Sequence, residues 1–448
     1  MMSSVSNQIQ RRSIFKIAIP ATIAGIAEPL LSLTDTAIVG NIPQTGLISL
    51  AAAGIVGSYL SMLIWVLGQS RAALASLIAQ YLGGGQLKEI EELPAQALLI
   101  NIGISILLVV GSIAFMRPIL ELMNAEGTLL EYCESYFKIR IWGFPLTLIT
   151  FAVFGMFRGL QNTYWPMLIA ATGAILNVGL DYLLVFGWEG YVPAMYLEGA
   201  AWASLIAQGV MAVMSLILMY YKTNFRIKLS RQIHPELRRY VKMSLHLFIR
   251  TLALNAALIY SVKTATALGN AYIGAHTIAF NLWLFAAFLI DGFSSAANLM
   301  GGRFLGAKQY DLLRELIRKT SIYALILSLL IMGVGVLFYE PIGYLFSNDP
   351  KAVEVFKEIF LIVILFMPLN ALAFIYDGLF KGLGETAYLR NVLLASSFLG
   401  FIPFVYISVQ LGWGLKGIWM GFAFWILLRY IALAVKFRLK FLPLARKD

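Results

Sequence analysis

Inside the hydrocarbon core of a bilayer, backbone amides and carbonyls have no water to bond. An apolar segment of about twenty residues can therefore cross only as a helix. The sequence contains twelve such stretches, near 14–39, 48–80, 94–116, 136–157, 166–187, 199–221, 241–268, 272–300, 319–339, 356–376, 390–410 and 417–437. They predict an all-α integral membrane protein with twelve transmembrane helices. Composition agrees: 60% of the residues are hydrophobic and 13% charged, more apolar than any water-soluble core requires. The opening MMSSVSNQIQRRSIFKIAIP lacks a short apolar region with a small-residue cleavage site, so it reads as the entry to a first span.

Lys and Arg set the expected orientation. Most fall on one side of the predicted spans, among them Arg11, Arg12, Lys16, the seven basic residues from Lys222 to Lys242, the five from Arg303 to Lys319, and the tail from Lys436. Both termini are accordingly expected in the cytoplasm, in a multi-pass protein of the cell (inner or plasma) membrane. Arg71, Arg250, Lys263 and Arg429 remain inside spans, while Lys138 and Arg140 read as flanks on the opposite side. The net charge of +11 lies in short segments between apolar runs, which suits membrane topology better than nucleic acid.

The chain also repeats itself. Leu82, Gly83, Phe115, Pro118, Pro145, Phe157, Gly159, Leu160 and Thr163 recur 223 residues later as Leu305, Gly306, Phe338, Pro341, Pro368, Phe380, Gly382, Leu383 and Thr386. An even number of spans per repeat gives both halves one orientation. Two six-helix lobes related by a pseudo-two-fold along the membrane normal are expected. The expected division is an N-lobe over 1–221, a basic cytoplasmic linker over 222–240 and a C-lobe over 241–448.

Function should reside where polar groups interrupt these spans. The first span carries Glu28 and Asp35, two helical turns apart on one face, together with Pro20 and Pro29, which remove backbone donors. A carboxylate at membrane depth costs at least a few kcal/mol unless a partner, water or a proton relieves it. Asn177 and Asp181 lie one turn apart in the fifth span, at a depth like that of Asp35, and Ser204 adds a hydroxyl in the sixth. The second half has no acids at the positions matching Asp35 and Asp181. It carries Arg250, Asp291 and Asp377 instead, where Arg250 is expected to pair with Asp291 or Asp377.

These residues resemble the multidrug and toxic compound extrusion (MATE) family, most closely its DinF branch, from about Ile14 to about Arg438. The resemblance rests on Pro20 with Asp35, the Asn177–Asp181 pair, FRGLQNT at 157–163, LFIRTLAL at 247–254, LIDGF at 289–293 and YDGLFKG at 376–382. It implies a cation or proton site at Asp35, Asn177 and Asp181, with Ser204 and Glu28 contributing and Pro20 as a gating kink. Ser204 stands where relatives often have Thr, and Glu28 where a Gln occurs. The sodium-site Glu of the NorM branch's seventh span is missing.

The expected function is secondary multidrug efflux. Amphipathic or cationic organic compounds would leave in exchange for protons, with sodium as the alternative ion and no cofactor, by a monomer embedded in the lipid bilayer. A lipid-linked sugar flippase is a rival on the same architecture, kept open by Arg71 and Arg250. An intramembrane enzyme is disfavoured, since His246 and His276 belong to no recognisable constellation with a nucleophile. Cys133 and three histidines offer no metal-ligand spacing, and no phosphate-binding GxxxxGK[ST] loop occurs.

Overall fold

The computed structural model describes residues 9–226, 232–346 and 350–444; the side chains of 28–33, 340, 345 and 346, and with them Glu28 and Pro29, lie outside that description. The apolar runs form helices, as their backbones require. α1 is Arg11–Gly40, α2 Gly46–Gly83, α3 Leu87–Ala114, α4 Gly127–Arg140 with Gly143–Gly159, α5 Tyr164–Phe186 and α6 Tyr196–Lys222. α7 is Pro235–Leu268, α8 Asn270–Gly306, α9 Tyr310–Leu337, α10 Pro350–Leu365 with Met367–Gly382, α11 Thr386–Gln410 and α12 Gly414–Lys440. Among the described residues nine of these are long and apolar enough to cross a membrane, and the bent pairs α4 and α10 raise the number to eleven. α1, 30 residues long, covers the remaining predicted span.

The bends have an identifiable cause. Pro145 and Pro368 cannot donate to Ile141 and Ile364, and the helices break just before them, by 43° in α4 and 49° in α10. These prolines are counterparts in the sequence repeat. The break lengthens α4 beyond the expected 136–157, because the helix already starts at Gly127. In α11 the backbone widens to a π-helix over Ser396–Phe401, next to Pro403.

Glycines set how closely the helices cross. On α4, Gly155 and Gly159 face the backbone of Arg71 and the Ala75 carbonyl of α2, where a Cβ would come within 2.7 and 2.9 Å of the carbonyl oxygens. On α10, Gly378 and Gly382 face the Ser294 and Asn298 carbonyls of α8, and a Cβ there would overlap them. Each pair is a Gly-x-x-x-Gly stripe, which lets backbones touch without side chains between them. Ser294 and Asn298 are the repeat counterparts of Arg71 and Ala75, so the same crossing is built twice. A third close approach joins repeat counterparts directly: Gly83 meets the Arg303 carbonyl and Gly306 meets the Gln80 carbonyl.

The chain divides into two compact units, one of residues 23–78 and 86–244, the other of 9–22, 79–85 and 245–444. Its first helix therefore changes unit between Thr22 and Ile23, just after Pro20, although the helix itself is unbroken. The second unit has an aromatic core in which Trp283, Phe401, Trp419, Phe422 and Trp425 pack ring against ring. There Trp425 Nε1 donates to Ser397 Oγ at 3.1 Å.

The crossings predict a sharp asymmetry among glycines. Gly382→Val should abolish accumulation of folded protein, since the Asn298 backbone cannot retreat, whereas Gly179→Ala, with open space around it, should leave the melting temperature within a degree or two. Fluorescence-detected size exclusion and thermal melts in detergent would measure both.

Candidate functional site: an acid cluster in the first unit

Close packing of α5 on α6 fixes the site's frame. A Cβ on Gly199 would strike the Leu184 carbonyl, and one on Gly173 would strike the Met211 side chain. On α5, Asn177 Nδ2 donates to Asp181 Oδ2 at 3.0 Å, the one-turn pairing that their spacing allows. Asn177 is 4% exposed and Asp181 fully enclosed. Asp35 of α1 lies within hydrogen-bonding reach of Asp181. Oδ1 of each acid is buried without a donor.

Arg140 completes the cluster, and sequence reasoning missed it. Its charge acts on Asp35, Asp181 and the buried Tyr136, and its Nη1 donates to Gln208 Oε1 of α6 at 3.3 Å. Gln208 fits there because residue 143 has no side chain; a Cβ on Gly143 would collide with its amide. The sequence alone puts Arg140 at a flank on the opposite side of the spans, but the helix running from Gly127 carries it to the bend of α4. The available signal was Pro145, which predicts a break at residue 141 and hence a helical segment before it, with Tyr136 and Arg140 one turn apart on one face.

Two carboxyl groups in contact repel when both are ionised. The guanidinium offsets one charge, so a single proton or monovalent cation neutralises the remainder. Ser204 is buried on α6, yet among the described residues no hydrogen bond ties it to either acid. Glu28 lies outside the described side chains. Among the described residues no three His, Cys, Asp or Glu side chains gather as a metal site.

The second unit holds a different arrangement. Arg250 Nη2 bonds Asp377 Oδ1 at 2.6 Å, Arg429 Nη2 approaches the same oxygen at 3.5 Å, and Lys381 Nζ lies 3.1 Å from Oδ2. Of the two acids considered for Arg250, only Asp377 reaches it. Asp291 is exposed on α8, because the neighbouring Gly292 turns its side of the helix against Ala18 and Thr22 of α1.

With the geometry in place, comparison with known proteins gives the lineage. The family profile described as MatE matches residues 20–183 and again 247–407, once in each half of the sequence repeat. The chain belongs to the MATE family. It is therefore a membrane transporter rather than an enzyme. DNA damage-inducible protein F of Escherichia coli is 24% identical over 95% of this chain and 92% of its own. The multidrug resistance protein NorM of Vibrio parahaemolyticus is also 24% identical, over 95% and 94%. Among solved structures, a MATE crystal structure in the bent conformation superposes with a TM-score of 0.89 at 20% identity, covering 98% of this chain and 96% of that one.

The charge balance of this MATE site gives a pH-dependent test. In Arg140→Gln the two acids keep their repulsion and lose the offset, so the variant should melt well below the wild type at pH 8. The gap should narrow at pH 5, where protonation removes the repulsion. Thermal melts of both proteins across that range would show it; a gap independent of pH would reject the offset.

Proposed function

We propose that the protein is a multidrug efflux antiporter of the plasma membrane, expelling amphipathic or cationic organic compounds as protons enter through the Asp35–Asp181 pair. The observation that carries this reading is the pair itself. Two carboxyl groups lie within hydrogen-bonding reach, each with an orphaned buried oxygen, and one guanidinium offsets one charge. A proton on either acid gives an orphaned oxygen a donor and cancels the net charge at once.

Sodium would ask more of the same residues. It takes several oxygen ligands, as hard cations do. Here Asn177 turns its amide nitrogen toward Asp181, Ser204 makes no hydrogen bond to either acid among the described residues, and Arg140 already supplies positive charge. These features favour the proton. The name of the NorM relative, a multidrug resistance protein, supports the substrate class.

In the proposed cycle the unprotonated pair, net negative, favours a cationic drug. Protonation from the outer side removes that attraction and lets α1 repack, with Pro20, next to where the helix passes from one unit to the other, as the hinge. In this reading both termini face the cytoplasm, which the distribution of Lys and Arg supports, and the transporting unit is a monomer.

Two measurements test this. Asp35→Asn, which mimics the protonated acid, should insert and fold normally yet lose dye efflux from cells or liposomes; retained proton-driven efflux would sink the assignment. In liposomes with equal pH on both sides, a sodium gradient alone should drive no transport, and an imposed pH gradient should. Sodium-driven efflux would replace the proton in this scheme.

A further inference from the structure

The cluster around Asp377 has a surplus of positive charge. Arg250, Arg429 and Lys381 converge on one carboxylate, and both arginines and the aspartate are more than nine-tenths buried. Among the described residues no second acid shares the load: Asp291 is exposed, and Glu385 is engaged by Lys440. Part of the surplus is absorbed locally. Lys381 lies in the last turn of α10, at the negative end of the helix dipole, which is worth about half a charge. Arg429 lies with its guanidinium carbon 5.2 Å from the centre of the Trp425 ring. More than one positive charge is still left without a counter-charge, and isolated charge in a low-dielectric interior is strongly disfavoured.

One further group points to an occupant. Arg250 Nε is buried without an acceptor. Lys381 is the exposed edge of the cluster, with 18% of its side chain accessible.

We propose that this cluster is an oxyanion-binding site, in which a phosphate-type group lies among Arg250, Arg429 and Lys381 beside Asp377. Guanidinium forks match the paired oxygens of a phosphate, and Lys381 adds a point charge at the entrance. The shared chemistry is a phosphate oxyanion. Its source is either free phosphate or the phosphodiester of an anionic lipid reaching in at Lys381.

The test is anion-dependent stability of the full-length protein. In neutral detergent, inorganic phosphate titrated against chloride at constant ionic strength should raise the melting temperature saturably, by several degrees at large excess. In parallel, vesicles of phosphatidylglycerol are compared with vesicles of phosphatidylcholine, both without added phosphate. A response to inorganic phosphate identifies a free oxyanion, and one to phosphatidylglycerol alone identifies a lipid headgroup. Arg429→Gln and Lys381→Gln should each lose most of the response. In anion-free buffer Lys381→Gln should melt no lower than wild type, because it removes surplus charge; a merely structural Lys381 would lower it. Arg71→Gln, whose guanidinium lies over Phe151 in the other unit, should respond as wild type does. The more exposed Lys381→Gln carries the test if Arg429→Gln fails to fold. No response to either probe, or an equal response in wild type and Lys381→Gln, would overturn the site.

Discussion

A charged side chain can occupy the interior of a membrane protein only if something else there answers its charge, and the polar architecture of this chain follows from that constraint. The two units answer it in opposite ways. In the first, among the described residues, two acids face one base, and the remainder is negative. In the second, three bases face one acid, and the remainder is positive. Neither imbalance is accidental surface charge, since Asp181, Asp377, Arg250 and Arg429 are all buried. A buried imbalance is costly unless an ion comes and goes, which is the condition a coupled transporter needs at one place and a resident counter-ion satisfies at another.

Glycine makes these burials possible. Gly155 and Gly159 bring α4 against α2, and Gly378 and Gly382 bring α10 against α8, so that the neighbouring Arg158, Asp377 and Lys381 are carried on backbones that cannot slide apart. The duplication is visible in chemistry as well as in spacing. Gly159 and Gly382 are repeat counterparts, and so are the residues they touch, Ala75 and Asn298. The halves share a scaffold and diverge in the charges mounted on it: Arg158 corresponds to Lys381, but nothing in the first half corresponds to Asp377 except Phe154.

Much of this was legible in the sequence, and the reason is periodicity. A bilayer imposes runs of about twenty apolar residues on any chain that spans it, so the spans could be read directly, and counterparts 223 residues apart exposed the duplication. The Asn177–Asp181 bond was legible too, because one helical turn is a local distance. What depended on tertiary contact was not. Arg140 looked like a loop flank until α4 proved to start at Gly127. Asp291 and Asp377 could not be ranked as partners of Arg250 until Gly292 showed which side of α8 is packed. Arg429 and Lys381 gave no local sign that they meet on the same carboxylate.

Arg140 also bears on why a duplicated scaffold would keep its pair of contacting acids in one half only. A site that binds a cation reversibly needs net negative charge when empty and none when filled. Two carboxyls alone would carry two charges and hold a cation and a proton together; with a guanidinium in place, one proton suffices to discharge the site. Gln208 holds that guanidinium, and Gly143 leaves the room that Gln208 needs. The residue whose charge offsets one of the two acids is thus fixed by a glycine at the bend of α4, and that bend exists because Pro145 follows it. Backbone chemistry that looks purely structural therefore reaches the charge balance of the site.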